Sequence, residues 1–338
     1  MSQKALSVDN LAVSFNIFEG EAKVIDNIDF DIKERETVGL VGETGCGKSV
    51  TLKTILGVLP MPPGKVTSGR ILFRNKDLLS LPLKEACKLR GKEISMIPQD
   101  PLASLNPVFT VKEQLLDVAM WQGEEHVSRL KYYKERSNRE HVKKAIEKII
   151  TILQKVQIAS PEKVLEYFPH QLSGGMAQRI LIAMALMSSP RLVLADEPTS
   201  YLDVTVQKQI VTLLKEMIEN NNLSVVYVTH NLGVARKIAQ RVYIMYAGQI
   251  VEAGETGEIF DSPQHPYATG LLNALPKITG EEFRGIDGTI PDYVDPPKGC
   301  RFHPRCSFVM DVCKNQKPSM IEVEKNHFVA CHLFQGGG

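Results

Sequence analysis

No stretch of this sequence reaches the roughly 18 uninterrupted apolar residues that a membrane-spanning helix needs. The most apolar run, residues 180–195, is broken by Ser188, Ser189, Pro190 and Arg191. Charge of one sign is not in excess either: 40 basic residues face 39 acidic ones, a formal net charge of +1. That balance excludes a global basic field that binds nucleic acid through counterion release. The first residues, MSQKALSVDNLAVSF, put Asp9 and Asn10 where a signal peptide carries its apolar stretch, so secretion is not expected. Cysteines are few, 6 in 338 residues, which excludes a disulfide-stapled secreted scaffold. Most of them crowd into residues 300–331 and point to a local thiol site near the C-terminal end. With 43% hydrophobic and 23% charged residues the chain is ordinary globular material, which excludes collagen-like, coiled-coil and wholly disordered classes. No internal repeat is visible. The expectation is a soluble intracellular protein of about two domains, at roughly 150 residues each.

The first hundred residues favour short strands. Ala5–Phe15 and Lys23–Lys33 mix apolar and polar residues, and Thr37–Val41 is an apolar run ending at a glycine, which suits a buried parallel strand. Residues 105–185 read as helical. In 141–158, Val142, Ile146, Ile149, Leu153 and Val156 recur at three- and four-residue steps, one apolar stripe on a helix. The charged stretch 122–140 before it reads as a solvated surface segment. Strands return at 192–195 and 224–229 with a helical stretch between them, and such alternation implies a right-handedly wound parallel sheet. After about residue 255 the pattern loosens into a proline-bearing C-terminal extension expected to be irregular.

Gly42-Glu43-Thr44-Gly45-Cys46-Gly47-Lys48-Ser49 fits G-x-x-x-x-G-K-[ST], follows a strand and opens a helical stretch, Ser49–Leu59. Backbone N–H groups and a positive helix end make an anion cradle there; Lys48 reaches the terminal phosphates and the Ser49 hydroxyl suits magnesium. The glycines allow close backbone approach. Cys46 reads as a small residue that fits, with a thiol made reactive by Lys48 and the helix end as the alternative. A GTPase would need a guanine-reading N-K-x-D. Asn75-Lys76-Asp77 lacks the spacer and reads as a turn after a strand at 70–74.

At the end of the apolar strand 192–195 stand Asp196 and Glu197. A carboxylate at a strand tip beside a phosphate loop can hold magnesium, and a second can deprotonate an attacking water. Leu172-Ser-Gly-Gly-Met-Ala-Gln-Arg179 is a second N–H-rich helix start, opening a helix at 176–187. One chain cannot easily aim two such cradles at one phosphate, whereas two chains head to tail can.

Through these residues the sequence resembles the ATP-binding cassette family over nearly its whole length. The Ser173-Gly174-Gly175 stretch resembles its signature motif, Gln99 in Ile-Pro-Gln-Asp-Pro its Q-loop, Ser200-Tyr-Leu-Asp203 its D-loop and His230 in Val-Thr-His its switch histidine. The resemblance implies an α/β P-loop NTPase (RecA-like) core with an antiparallel β subdomain and a helical subdomain at about 100–185. The cassette would span 1–255 and a cysteine-containing extension 256–338. It implies ATP with Mg2+ as ligands: residues Gly42 to Val50 around the nucleotide, Ser49, Gln99 and Asp196 on magnesium, Glu197 as base and His230 on the transferred phosphoryl. Ser173, Gly174, Gly175 and Asp203 would serve the nucleotide of an opposite subunit. Phe15 is the candidate for stacking on adenine, with Phe18 the competitor and core packing the alternative for both. Two residues depart from the pattern. Met176 replaces the usual glutamine, and Tyr201 replaces a small D-loop residue.

A single cassette implies a second ATPase subunit, identical or related. The 74-residue step from Gln99 to Ser173 leaves no room for the long coiled coil of chromosome-maintenance or recombination-repair relatives. His265-Pro-Tyr-Ala-Thr-Gly-Leu-Leu-Asn-Ala-Leu-Pro276, followed by Gly299-Cys-Arg-Phe-His-Pro-Arg-Cys306, resembles the oligopeptide/dipeptide importer branch. By itself the first segment reads only as a short helix bounded by prolines. That branch implies a peripheral subunit on the cytoplasmic membrane face. It would work with two transmembrane permease subunits, whose coupling helices meet Gln99 and the helical subdomain, and with an extracellular peptide-binding protein. Import of nickel or a glycopeptide, a repair or translation ATPase, and a catalytically dead scaffold are the alternatives. Cys300, Cys306, Cys313 and Cys331 could hold zinc or an iron–sulfur cluster, with His303, His327 and His332 as substitute ligands and buried unliganded thiols as the plain alternative. Their spacing does not choose. The importer resemblance implies a structural [4Fe–4S] cluster.

Overall fold

The computed structural model describes residues 3–121, 136–274 and 285–335. In chain order its strands are β1 (Lys4–Ile17), β2 (Gly20–Lys33), β3 (Thr37–Val41), β4 (Gly64–Phe73), β5 (Lys76–Asp77) and β6 (Ile94–Ile97). They continue as β7 (Leu192–Asp196), β8 (Ser224–Thr229), β9 (Arg241–Tyr246), β10 (Gln249–Glu255), β11 (Ile321–Glu324) and β12 (His327–Val329). The chain divides into two units, residues 1–80 with 225–338, and residues 81–224.

In the first unit β1, β2, β4 and β5 form an antiparallel sheet in the order β2-β1-β4-β5. The long β1 pairs with β2 on one side and β4 on the other, and alternate residues Leu6, Val8, Leu11 and Val13 are buried. The second sheet of this unit runs β11-β12-β10-β9-β3-β8. Its strands β3 and β8 are parallel and buried at every residue. This is the continuous apolar run expected of a strand covered on both faces. At the β9–β10 hairpin Ala247 and Gly248 both take positive φ, 43° and 81°, the tight turn that a two-residue connection demands. Asn75 lies in a positive-φ turn between β4 and β5, as the sequence suggested.

The extension departs from its expected irregularity. It forms helices at Thr256–Asp261 and Pro266–Asn273, and its hairpin β11–β12 adds to the sheet through β12 and β10, pairing Glu252 with Val329. These strands were hidden in the sequence because they are four and three residues long, too short for a period to show.

In the second unit β6 and β7 are parallel, in register from Ile94 with Leu192 to Ile97 with Ala195. The striped segment is a helix at Arg139–Lys155, capped by Asn138, with Ile149 and Leu153 buried. The Gly174–Leu186 helix begins two residues earlier than expected, because Ser173 caps it by accepting from Met176 N–H at 3.3 Å. Most of the charged stretch 122–140 lies outside the described residues.

Candidate active site

The phosphate loop leaves the buried end of β3 and enters the Lys48–Leu56 helix. Close approach to neighbouring backbone dictates its glycines: a Cβ on Gly42 would meet the Met245 carbonyl oxygen at 2.1 Å. Gly45 takes φ +88° and would meet nothing within 4 Å, so its side of the loop is an open cradle. Lys48 is buried, and its ammonium donates to Gly42 O at 2.7 Å and Glu43 O at 2.8 Å. Cys46 lies beneath, its Sγ 3.8 Å from the Lys48 Nζ. Burial pushes this thiol up in spite of the ammonium beside it. Cys46 is therefore a small packed residue, and the reactive-thiol alternative loses its physical basis. Ser49 and Val50, in the first turn, are half-buried, and Thr44 is exposed.

Strand register positions His230. Val41 pairs with Thr229 across β3 and β8, so Gly42 and His230 leave the same end of the sheet. His230 is exposed, and the next residue, Asn231, caps the Leu232–Ile238 helix. Phe15 is half-buried in β1, opposite Ala22 and Gly64, while Phe18 in the β1–β2 turn is fully exposed.

In the second unit the same logic brings two predicted residues together. Ile97 pairs with Ala195, so Gln99 and Glu197 both follow the ends of adjacent parallel strands. Gln99 Nε2 donates to Glu197 Oε2 at 3.3 Å, and Ser200 Oγ donates to the same oxygen at 2.8 Å. Asp196 and Glu197 are both buried, and Glu197 takes φ +43°, a left-handed conformation that a side chain adopts only under constraint. Asp203 caps the Val204–Asn221 helix by accepting from Thr205 and Val206 N–H at 3.0 Å. Ser173 is exposed at its helix start, and a Cβ on Gly175 would meet Val206 at 2.8 Å. Of the two departures, Met176 is half-buried and Tyr201 is 64% exposed.

The four clustered cysteines do come near one another. Cys300 N–H donates to Cys313 O at 2.8 Å, and burial first, then the neighbouring thiols, push the Cys300 thiol up to about 11. All four are free thiols. Yet among the described residues no group of three or more His, Cys, Asp or Glu is placed to hold a metal ion. The substitute histidines are turned elsewhere: His327 Nε2 to Glu252 Oε1 at 2.7 Å, His332 Nε2 to Gln316 O and His303 Nδ1 to Cys300 O, each at 2.9 Å. The expected [4Fe–4S] cluster, and zinc as its alternative, thus find no support in this geometry.

Buried Glu252 organises the extension instead, accepting also from Gln264 N–H at 2.9 Å and His265 N–H at 2.7 Å. His265 Nδ1 accepts from Tyr267 N–H at 3.0 Å, which requires that nitrogen unprotonated, and burial pushes the ring down to about 3. The unfolded chain takes up a proton near the ordinary 6.5 that the folded chain refuses until about 3, so folding weakens as pH falls through that window. We expect this histidine to cost about 1.4 kcal/mol per pH unit below 6.5. Urea unfolding at pH 6.5 and 5.0 checks it. His265→Asn, whose amide oxygen can still accept from Tyr267, should lose one proton of pH dependence; an unchanged slope would refute the assignment.

Sequence reasoning missed a third group of residues. Glu43 N–H donates to Tyr267 Oη at 3.0 Å, the Glu43 carboxylate takes both ends of the Arg305 guanidinium, and Tyr293 Oη donates to Gly45 O at 2.8 Å. Three side chains of the extension therefore touch the phosphate loop. The one signal in the sequence was the His-Pro-Tyr segment, which by itself reads only as a helix start.

The comparisons agree with these motifs. The ABC transporter family matches residues 25–200, and the oligopeptide/dipeptide transporter C-terminal region matches residues 251–313. The dipeptide transport ATP-binding protein DppD of Bacillus subtilis (strain 168) is 45% identical over 98% of this chain and 95% of its own length. The oligopeptide transport ATP-binding protein OppD of the same organism is 44% identical over 98% and 89%. The Escherichia coli (strain K12) DppD is 38% identical over 97% and 96%. Among solved structures, the ATP-binding cassette MJ0796, a dimer in a post-hydrolysis state bound to ADP and Pi, is similar with a TM-score of 0.61. It is 28% identical, covering 74% of this chain and 98% of its own.

Proposed function

This chain belongs to the ABC transporter family and is an ATP hydrolase, and from that premise we propose that it powers import of dipeptides and oligopeptides through a membrane permease. The observation that carries peptides, rather than another solute, is the C-terminal match at residues 251–313, joined to relatives named as dipeptide and oligopeptide transport ATP-binding proteins.

The open glycine cradle and the buried Lys48 fit the nucleotide phosphates, and buried Asp196 at a strand tip fits a hard cation. The backbone of Gly42 to Val50 cradles the nucleotide, with the Lys48 ammonium on its phosphates, and Phe15 stacks on its base. Magnesium, when bound with ATP on Ser49, Gln99 and Asp196, supplies neutralising charge to the phosphate oxygens. Glu197 takes a proton from the attacking water, and Ser200 and Gln99 orient its carboxylate for that task. His230 contacts the phosphoryl group in transfer. Ser173, Gly174, Gly175 and Asp203 serve the nucleotide of a second cassette, identical or related, so each chain completes its mate's site.

Among the described residues no helix is long and apolar enough to cross a membrane. We place the chain on the cytoplasmic face, docked on two transmembrane permease subunits that receive peptide from an extracellular binding protein, with no nucleic-acid partner. Just after Gln99, Leu102, Val108 and Phe109 expose apolar surface that suits the permease's coupling helices. Affinity purification from solubilised membranes should bring down two permease subunits and a second cassette. Reconstituted in vesicles, that assembly should take up labelled short peptides only with ATP. Recovery of the chain with nucleic acid and without membrane proteins, or uptake of nickel and not peptide, would overturn the reading.

A further inference from the structure

Glu43 poses an electrostatic problem. It sits second in a loop built to attract phosphate, where a free carboxylate repels the ligand. The extension answers it with Arg305, whose side chain is only 6% exposed. An arginine has five N–H donors, and here each is engaged. Nη1 donates to Glu43 Oε2 at 2.9 Å and Tyr246 Oη at 3.4 Å. Nη2 donates to Glu43 Oε1 at 3.2 Å and Ile286 O at 3.1 Å. Nε donates to Asp287 O at 2.8 Å. The guanidinium also lies over the Tyr246 ring, 5.6 Å from its centre. Its position is thus set by backbone carbonyls and an aromatic face, while Glu43 is its one ion-pair partner among the described residues. A half-buried charge pair of this kind is weak evidence for stability as such, so its placement on the phosphate loop calls for another account.

We propose that Arg305 is a positioning residue for ATP: from the C-terminal extension it neutralises Glu43 and holds that carboxylate out of the phosphate cradle, while Tyr293 fixes the loop apex through the Gly45 carbonyl. Affinity for the nucleotide is then set partly outside the loop, by a segment more than two hundred residues downstream. The inference rests on nucleotide binding at this loop.

The test is fluorescent ATP-analogue titration of the full-length chain, which needs no second cassette. Arg305→Gln leaves Glu43 uncompensated and should weaken binding about tenfold, the effect of roughly one unshielded nearby charge at a protein surface. Arg305→Lys keeps the cation but loses the fork, and should stay within about threefold of the wild type. Tyr293→Phe removes one donor and should weaken binding about threefold. The decisive variant is Glu43→Gln combined with Arg305→Gln. With the repelling carboxylate gone, it should recover to within about threefold of the wild type. A merely structural arginine predicts no such rescue, only a lower melting temperature and fewer competent molecules at unchanged affinity. Unchanged affinity in Arg305→Gln, or a double variant as weak as the single, overturns the proposal. If the wild type bound no nucleotide, or Lys48→Ala bound as well as the wild type, it is the phosphate-loop reading that would fail.

Discussion

Glu197→Gln should lower the steady-state ATPase rate by about a hundred- to ten-thousand-fold, the span that general base catalysis commonly supplies. The substitution is nearly isosteric, and an amide oxygen can still accept from Ser200 Oγ, which donates to the carboxylate at 2.8 Å in the native chain. Binding of ATP to the phosphate loop should survive, because Lys48 and the loop glycines are untouched. What is lost is basicity in a buried group whose backbone, at φ +43°, is held in a conformation that side chains seldom take. A chain that binds ATP and cannot release it by hydrolysis should accumulate as an ATP-bound dimer. Size-exclusion chromatography with and without ATP reads this directly. A variant that hydrolyses at the native rate removes Glu197 from the role of base.

The second large effect concerns the other half of the site. Ser173 is exposed at a helix N-terminus whose Oγ accepts from Met176 N–H, and that end offers N–H groups and a partial positive charge. If those groups serve a nucleotide on a second chain, Ser173→Arg should abolish hydrolysis while the same chain binds ATP as well as the wild type. The helix cap lost in the process costs about 1 kcal/mol, too little to unfold the unit. We expect a fall in rate of at least about a hundredfold, the scale of removing preorganised charge stabilisation. Rate against protein concentration gives an independent check. Hydrolysis should rise more steeply than in proportion to chain concentration while dimers are scarce. Proportional activity down to dilutions at which only monomer is present would end the two-chain scheme.

Legibility from the sequence followed the range over which the physics acts. The phosphate loop was legible because an anion cradle needs glycines and a lysine at short, fixed spacing between a strand and a helix, all within Gly42–Ser49. The buried strands β3 and β7 were legible as continuous apolar runs, and the Arg139–Lys155 helix as a stripe of period near 3.6. The short strands β11 and β12 were not, since pairing with β10 rather than local pattern makes them strands. The cysteine cluster was legible only as crowding. Crowding along the chain suggested ligands, but the geometry of thiols and histidines is set by packing, and the nearby histidines are taken up by Glu252 and by backbone carbonyls.

By itself, then, the chain's order of residues determined the kind of chemistry: a phosphate cradle, a carboxylate pair at a strand end, a second helix start suited to anions. These depend on neighbours a few positions apart, which a sequence states outright. Only the tertiary structure decided what surrounds the cradle. Glu43 meets Arg305 across 262 positions and Tyr267 across 224, distances over which no periodicity survives and only the packed fold brings side chains into hydrogen-bond range.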